Sequence, residues 1–259
     1  MPVRLEGGVH VASLREGEPT LHGSIRVYDH AGRSSGAHAI SLRVVEFAAG
    51  LSPGLRNVAS DEVLYVVEGE ATVFIDGHPE SVAPDTGIYL RPGACLSVDN
   101  SGPAPFTLVS SRCPDPGPST FVKACTAPDA PAAAPPPFVR LMDRAAETTG
   151  DRWYRVLVDG RVGSTQVTQF VGAIPPGRAP DHFHEYEEVL CILAGHGRMW
   201  GGASSTPIGP GSCIFLPRRQ VHCVENTGDS ELRLLGVFYP AGSPAVRYDP
   251  AATRRRSTA

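Results

Sequence analysis

The sequence predicts an all-β fold of two antiparallel barrels in tandem, and three observations support this prediction. The 259-residue chain contains 28 glycines and 25 prolines, which separate many short apolar runs with turns. No segment keeps an apolar period of 3.6 residues over three helical turns, so very little helix is expected. Two blocks of sequence also recur at one constant spacing, which indicates that the chain contains a duplicated unit.

The repeat aligns the two halves of the chain without a gap. DEVLYVVEG at Asp61–Gly69 matches EEVLCILAG at Glu187–Gly195, an offset of 188 − 62 = 126. Farther along, Ala83–Asn100 matches Gly209–Asn226, an offset of 226 − 100 = 126. Because the register is the same across both blocks, we expect the two halves to fold alike, one barrel in each.

Short β-branched or apolar runs bounded by Gly, Pro, Asp or Asn mark the strands of each half. In the first half the predicted strands are Ser41–Phe47, Val63–Val67, Ala71–Ile75, Gly87–Leu90 and Phe106–Ser110. In the second half they are Thr165–Val171, Val189–Leu193, Cys213–Leu216 and Leu232–Phe238. Such runs are typical of antiparallel sheets folded into barrels or sandwiches.

A segment rich in proline and alanine lies between the halves. Residues 113–137 read CPDPGPSTFVKACTAPDAPAAAPPP, a composition that disfavours the interior of a helix or a sheet and favours extended, partly polyproline II structure. The predicted division is an N-terminal barrel over 1–112, this linker over 113–137, a C-terminal barrel over 138–250 and a basic, solvated tail over 251–259.

Charge and cysteine content exclude several classes of function. The net charge of −4 provides no general attraction to nucleic acid or to anionic membranes. No run of 18 apolar residues and no signal-peptide pattern occurs, so a cytoplasmic protein is expected. None of the 6 cysteines forms a CxxC pair, which argues against a thiolate zinc site. A chain of this size does not need disulfides, although the even number permits them.

The second half contains a cluster of metal-binding residue types. His182 and His184 are two positions apart, a spacing that places both imidazoles on one face of a strand. Glu188 begins the next apolar run, and His222 lies beside a further strand. Three imidazoles and a carboxylate suit one divalent transition metal (Fe, Mn, Ni, Zn, Co or Cu) and leave coordination positions open for a substrate.

The spacing around these residues resembles the two signatures of the cupin family. Residues 177–195, GRAPDHFHEYEEVLCILAG, are similar to the first signature, with a spacer before the first histidine that is one residue shorter than usual. Pro217, His222 and Asn226 are similar to the second signature, in which Arg219 replaces the usual glycine. The resemblance implies a bicupin, two jelly-roll barrels also known as double-stranded β-helices. It implies that the metal ligands are His182, His184, Glu188 and His222.

The first half serves as an internal comparison. At the offset of 126, the four ligand positions correspond to Arg56, Val58, Glu62 and Leu96, and this set does not suit a divalent cation. We therefore expect the first barrel to lack a metal. Arg56 either replaces the metal as the counter-charge of Glu62 or points to solvent from a rim loop.

Three further polar residues are candidates for substrate binding. Arg218 and Arg219 precede His222 near the predicted barrel mouth, where they either bind a carboxylate or phosphate or serve as ordinary surface residues. Gln166 lies on a predicted strand that flanks the site. The sequence assigns no catalytic residue.

The cupin resemblance leaves three functions open, because fold does not select among them. The first is a metal-dependent dioxygenase acting on a small polar metabolite, with iron or manganese preferred. The second is a non-redox metal enzyme, an isomerase, a decarboxylase or a hydrolase similar to ureidoglycine aminohydrolase, whose size and architecture match but whose ligand pattern differs at His182 and His222. The third is a non-catalytic binder of a metal or metabolite. All three imply a small-molecule partner, no nucleic acid, no membrane, and a monomer or homodimer.

Overall fold

The computed structural model describes residues 2–114, 117–128, 130–133 and 135–250, and its regular structure is almost entirely β. Within these ranges the helical segments are 3₁₀ turns at Glu6–Gly8, Arg33–Ser35, Leu141–Asp143 and Gly160–Val162. The same ranges contain no helix of the length and hydropathy needed to cross a membrane. The predicted all-β fold is confirmed, and the predicted basic tail lies outside the described residues.

Within the described ranges the sheets contain twenty-five strands, numbered in chain order. Strands β1 to β8 are Val3–Arg4, His10–Ser13, Thr20–His22, Ile25–Ala31, Leu42–Phe47, Gly50–Leu51, Gly54–Arg56 and Asp61–Glu68. Strands β9 to β16 are Ala71–Ile75, His78–Val82, Thr86–Leu90, Cys95–Asn100, Phe106–Cys113, Thr120–Val122, Phe138–Arg140 and Glu147–Thr149. Strands β17 to β25 are Arg152–Val158, Thr168–Ile174, Gly177–Arg178, Glu187–Ala194, Gly197–Gly201, Ser204–Ile208, Ser212–Leu216, His222–Asn226 and Leu232–Tyr239.

Each half forms one barrel of two antiparallel sheets packed face to face. In the first barrel a sheet of order β15-β11-β8-β13-β5-β4-β3 packs on one of order β10-β9-β12-β7-β14. In the second barrel the corresponding orders are β1-β2-β23-β20-β25-β18-β17-β16 and β19-β24-β21-β22. The two larger sheets also pack against each other, so the duplication predicted from the repeat appears as two tandem barrels.

Three apolar clusters form the core, one inside each barrel and one between them. Leu64 and Val66 of β8 face the interior of the first barrel, whereas Val63 and Tyr65 face the second barrel. The inter-barrel cluster also contains the buried Phe215 of β23. Because the central strands are covered on both faces, they are almost continuously apolar, which explains why the sequence marks them so clearly.

The segment that precedes each barrel in the sequence pairs with a sheet of the other barrel. Strand β2 pairs with β23, with His10 opposite Phe215, so residues 3–13 extend the sheet of the second barrel. Strand β15 pairs with β11, with Val139 opposite Gly87, so residues 138–140 extend the sheet of the first barrel. The predicted division at 1–112 and 138–250 matches the sequence repeat, but each larger sheet also contains a strand from the other side of that division. That division stays a proposal for the folding units.

The described part of the predicted linker contacts the first barrel. Thr120–Val122 forms an edge strand paired with Gly54–Arg56, and a disulfide joins Cys95 to Cys125. The even number of cysteines permits disulfides, and this one attaches the proline-rich segment to β12. Four further cysteines, Cys113, Cys191, Cys213 and Cys223, are buried free thiols.

A repeated asparagine fixes the turn between the last two strands of each barrel. Asn226 donates two side-chain hydrogen bonds, to Ile174 O at 2.8 Å and Ser230 O at 2.7 Å. Its Oδ1 accepts from the backbone N–H of Gly228 at 2.9 Å. Asn100, 126 residues earlier, makes the equivalent three bonds in the first barrel. The asparagine of the second signature is therefore structural.

Replacing Asn226 with alanine is expected to lower the free energy of unfolding by about 1–3 kcal/mol, because buried carbonyl groups lose their donors. Chemical denaturation measured by circular dichroism checks this value. Asp229→Ala is the control, since Asp229 is exposed on the same turn and its loss should change stability by less than about 0.5 kcal/mol. Equal effects of the two substitutions would contradict the structural role.

Candidate metal centre

Three histidines converge inside the mouth of the second barrel. The ligand nitrogen atoms of His182, His184 and His222 all lie within 4.8 Å of one another. Glu188 adds a carboxylate, with Oε2 at 3.4 Å from His184 Nε2. The structure thus brings together the four residues that the sequence predicted as ligands.

The local backbone orients two of these histidines toward the site. His182 forms a two-way bridge with His222, with N–O distances of 3.1 and 2.9 Å between their backbones. Phe183, between the two histidines, points away and stacks on Tyr248 at a centroid distance of 5.5 Å. His182 and His184 therefore both direct their rings to the site, but neither lies on a regular strand, since His182 is in an isolated bridge and His184 follows it in a loop.

Each of the three imidazoles is oriented by a hydrogen bond from Nδ1 to a backbone carbonyl. These contacts run from His182 to Pro180 at 2.9 Å, from His184 to Val246 at 3.1 Å and from His222 to Gln220 at 2.8 Å. A carbonyl oxygen can only accept, so each Nδ1 carries the proton and each Nε2 keeps a free lone pair. This second layer of contacts is typical of histidines that ligate a metal.

Burial controls the charge of the site. It lowers the pKa of His184 to about 4 and that of His222 to about 3, with a further lowering by His182. Both imidazoles are therefore neutral at pH 7 and able to donate an electron pair. Burial also raises the pKa of Glu188 to about 8. A bound cation would favour the ionised carboxylate and so offset this desolvation.

The equivalent carboxylate in the first barrel has a different environment. Glu62 forms ion pairs with Arg43 at 3.2 Å and with Arg112 at 2.8 Å, and all three side chains are at most 5% exposed. Burial alone would raise the pKa of Glu62, but Arg112 and Arg43 outweigh it and the pKa is lowered. Two guanidiniums thus occupy the place of a cation, so we continue to expect no metal there.

This cluster corrects the hypothesis that Arg56 is the counter-charge of Glu62. Arg56 lies at the end of β7, and Arg112 is the residue opposite Glu62 in the sheet. Arg56 has a half-buried side chain whose Nε lacks a partner. Of the other mapped positions, Val58 is 71% exposed and Leu96 is buried in the barrel core.

Strand register shows what replaces the arginines in the second barrel. Glu188 lies opposite Phe238, as Glu62 lies opposite Arg112. In the neighbouring pair, Phe170 lies opposite Gly236, where the first barrel pairs Arg43 with Ser110. Aromatic rings thus take the positions of both guanidiniums, and among the described residues Glu188 has the His184 imidazole beside it and no arginine or lysine paired with it.

A cavity of about 120 Å³ opens beside the histidines. Its wall is largely apolar and includes Tyr154, Phe170 and Leu234. Arg152 also lines it with a side chain that is 16% exposed, and Arg152 Nε forms no hydrogen bond but lies 3.6 Å from Oδ1 of the exposed Asp151. Arg247 lies on the exposed rim. A guanidinium beside a candidate metal site suits a small anionic ligand.

The other substrate-binding candidates lie away from this cavity. Arg218 and Arg219 contact Glu185 at 3.4 and 2.7 Å on the surface, and their side chains are 61% and 67% exposed. Gln166 donates to Asp61 at 3.2 Å in the region between the barrels. The sequence analysis did not single out Arg152, although the β-branched and aromatic residues that follow it (RWYRVLV, 152–158) are typical of a strand.

Comparison with known proteins agrees with this geometry. Residues 170–238 match the Cupin domain family. An oxalate-binding protein of Thermotoga maritima is 36% identical over 67 residues, which are 25% of this chain and 55% of that protein. The chain thus spans about half the length of that relative.

Solved structures match nearly the whole chain. The structure of oxalate decarboxylase from Bacillus subtilis at pH 4.6 superimposes with a TM-score of 0.70 and 15% identity, covering 89% of this chain and 76% of that one. A mutant of the same enzyme gives a TM-score of 0.71 and 15% identity, covering 90% and 78%. At this identity the likeness establishes the fold alone. The chain therefore has the bicupin fold, with a cupin domain in its second half that contains the histidine cluster.

Proposed function

We propose that the second barrel holds one divalent metal and binds a small carboxylate of the oxalate class. The observation that carries this proposal is the environment of Glu188, a buried carboxylate 3.4 Å from His184 Nε2 that forms no ion pair with an arginine or lysine among the described residues. The first barrel neutralises the equivalent carboxylate with two arginines. A metal would supply the missing positive charge in the second barrel.

The residues present fit such a metal. His182, His184, His222 and Glu188 would hold it, and the backbone carbonyls behind the imidazoles keep the three nitrogens directed inward. Manganese and iron are the preferred candidates. When bound, such a metal supplies Lewis-acid polarisation of a carboxylate and, in these two cases, access to one-electron chemistry.

The proposed substrate class follows from the cavity. About 120 Å³ admits a ligand of few atoms, and Arg152 can donate two parallel hydrogen bonds to one carboxylate group. The oxalate-binding and oxalate-decarboxylating relatives have names that agree with this class. The apolar wall formed by Phe170 and Leu234 limits the access of water to the bound molecule.

For the reaction, we place decarboxylation ahead of the dioxygenase chemistry suggested by the ligand set. Two chain groups are available in the cavity: Arg152 to bind and orient the carboxylate, and the hydroxyl of Tyr154, which donates to Glu147 at 2.9 Å. This pair connects the cavity wall to an exposed carboxylate and can transfer a proton. Binding without turnover is the second candidate, favoured by the name of the Thermotoga maritima relative.

Turnover assays on manganese- and iron-loaded protein separate these functions. Oxalate is supplied while carbon dioxide, formate, hydrogen peroxide and oxygen uptake are recorded. One formate and one carbon dioxide per oxalate supports decarboxylation, and oxygen uptake with two carbon dioxide per oxalate supports an oxidase or oxygenase. Saturable binding without products supports the binder. If neither the manganese-loaded nor the iron-loaded protein binds oxalate, the proposed substrate class is refuted.

Replacing Arg152 with glutamine is expected to weaken oxalate binding by roughly 10- to 100-fold, because a charge-assisted hydrogen bond contributes about 1.5–3 kcal/mol. Isothermal titration of the metal-loaded variant measures the change, and elemental analysis should find its metal content unaltered. Arg218→Gln is the matched control and should bind oxalate like the wild type. If Arg218→Gln weakened oxalate binding more than Arg152→Gln, Arg218 and not Arg152 would be the residue that binds the substrate.

A further inference from the structure

A second cavity, of about 680 Å³, lies where the N-terminal strands meet the first barrel. It is separate from the cavity beside the histidines, with which it shares no lining residue. Its polar wall combines strands β1 and β2 with the end of β4 and the start of β5. The ionisable side chains of that wall are Arg4, His10, Asp29, His30, Arg33 and Arg43.

Arg43 links this cavity to the buried cluster around Glu62. Glu62 is the carboxylate paired with both Arg43 and Arg112, so the three buried side chains have a net charge of +1. The remaining hydrogen-bond partners of Arg43, Ser110 and Ser119, are neutral, and the exposed Asp29, opposite Arg43 in β4, is a further acid that acts on it. Arg43 is 5% exposed, and its Nε has no hydrogen-bond partner. Burying an excess charge is costly unless a counter-ion is present.

The rest of the cavity wall is also cationic or rich in donors. Arg4 is exposed on β1, and His10 Nε2 is buried without a partner. His30 donates its Nε2 proton to Leu14 O at 2.9 Å. Asp29, on the exposed rim, is the one carboxylate among the described residues of the wall. Arg4 and Arg43 therefore supply positive charge at this wall, near one exposed carboxylate.

We propose that this cavity is a binding site for a small polyvalent anion, a ligand with two or more carboxylate or phosphate oxygens. Arg43 would provide the buried contact and Arg4 the contact at the entrance, since guanidiniums bind such oxygens through paired hydrogen bonds. Arg43 of this wall is a counter-charge of Glu62, the residue that corresponds to Glu188 in the second barrel. This inference does not depend on the function proposed for the second barrel.

Calorimetric titration of the full chain tests the site with two probes, citrate and inorganic phosphate, in buffers balanced with chloride. Saturable binding of either probe at one site per chain is expected, and a carboxylate or a phosphate preference identifies the ligand chemistry. The titration is repeated with His184→Ala, which is expected to remove the metal centre. Binding retained in that variant assigns the anion to the first barrel.

Two substitutions locate the site. Arg4 is exposed, so Arg4→Gln should leave the fold intact, and Arg43→Lys keeps a positive charge next to Glu62. Each is expected to weaken probe binding at least tenfold, whereas Arg26→Gln, an arginine of β4 outside the cavity that is 56% exposed, should leave it unchanged. The proposal is overturned if neither probe binds saturably, if both variants bind like the wild type, or if His184→Ala abolishes binding.

Discussion

Replacing His184 with alanine should reduce bound metal to less than about one-tenth of the wild-type content while the fold stays intact. The imidazole provides one of four proposed donors, and it also contacts Glu188 at 3.4 Å. Losing even an outer partner of a metal ligand typically costs 10- to 100-fold in affinity, so losing a ligand should cost more. Elemental mass spectrometry on protein dialysed against a weak chelator gives the content.

His196→Ala is the matched control for this loss. His196 is exposed in a turn of the same barrel, outside the cluster of three histidines, so its substitution should leave the metal content unchanged. A circular dichroism spectrum equal to that of the wild type would show that both variants are folded. Full metal occupancy in His184→Ala would refute the assignment of this residue as a ligand.

Replacing Glu62 with glutamine should lower the free energy of unfolding by about 3–5 kcal/mol, the usual effect of removing one partner from a buried ion pair. Arg43 and Arg112 would then remain buried without a carboxylate. Because the histidine cluster is in the other barrel, the metal content should not change. Denaturant titration and elemental analysis of the same preparation measure both quantities.

Glu68→Gln provides the comparison at an exposed ion pair. Glu68 pairs with Arg15 at the surface, where both side chains are more than 40% exposed, so its loss should cost less than about 1 kcal/mol. If Glu62→Gln were no more destabilising than Glu68→Gln, the buried cluster would not stabilise the first barrel. Loss of metal from Glu62→Gln would show that the first barrel also contributes to metal binding.

Much of the fold could be predicted from the sequence because its main signals are local. The central strands are covered on both faces and so appear as apolar runs, and the repeat places one barrel in each half. The four residues of the metal cluster could be found because their spacing is short at His182–Glu188 and because His222 begins a strand that bridges directly to His182.

Other features depend on which strands become neighbours, and a single offset does not reveal this. The counter-charge of Glu62 on β8 comes from Arg112 on β13 and Arg43 on β5, the next two strands of the same sheet. The offset of 126 relates positions in the two halves and therefore pointed to Arg56 instead. Strand β12 was missed because its run, CLSVDN, places polar Ser97, Asp99 and Asn100 among apolar residues, although only Asp99 is exposed. The Thr165–Val171 prediction began early because Ser164 Oγ bonds to Val167 O at 3.0 Å and forms a turn there.

Metal content per chain of the untagged wild-type protein tests the central claim most directly. Elemental mass spectrometry, before and after anaerobic reconstitution with manganese and iron, should find about one equivalent, since one barrel offers a complete donor set and the other offers arginines. No bound metal after reconstitution would contradict a metal centre at His182, His184, Glu188 and His222. Two tightly bound equivalents would contradict the assignment of the first barrel as the one that uses arginines in place of a metal.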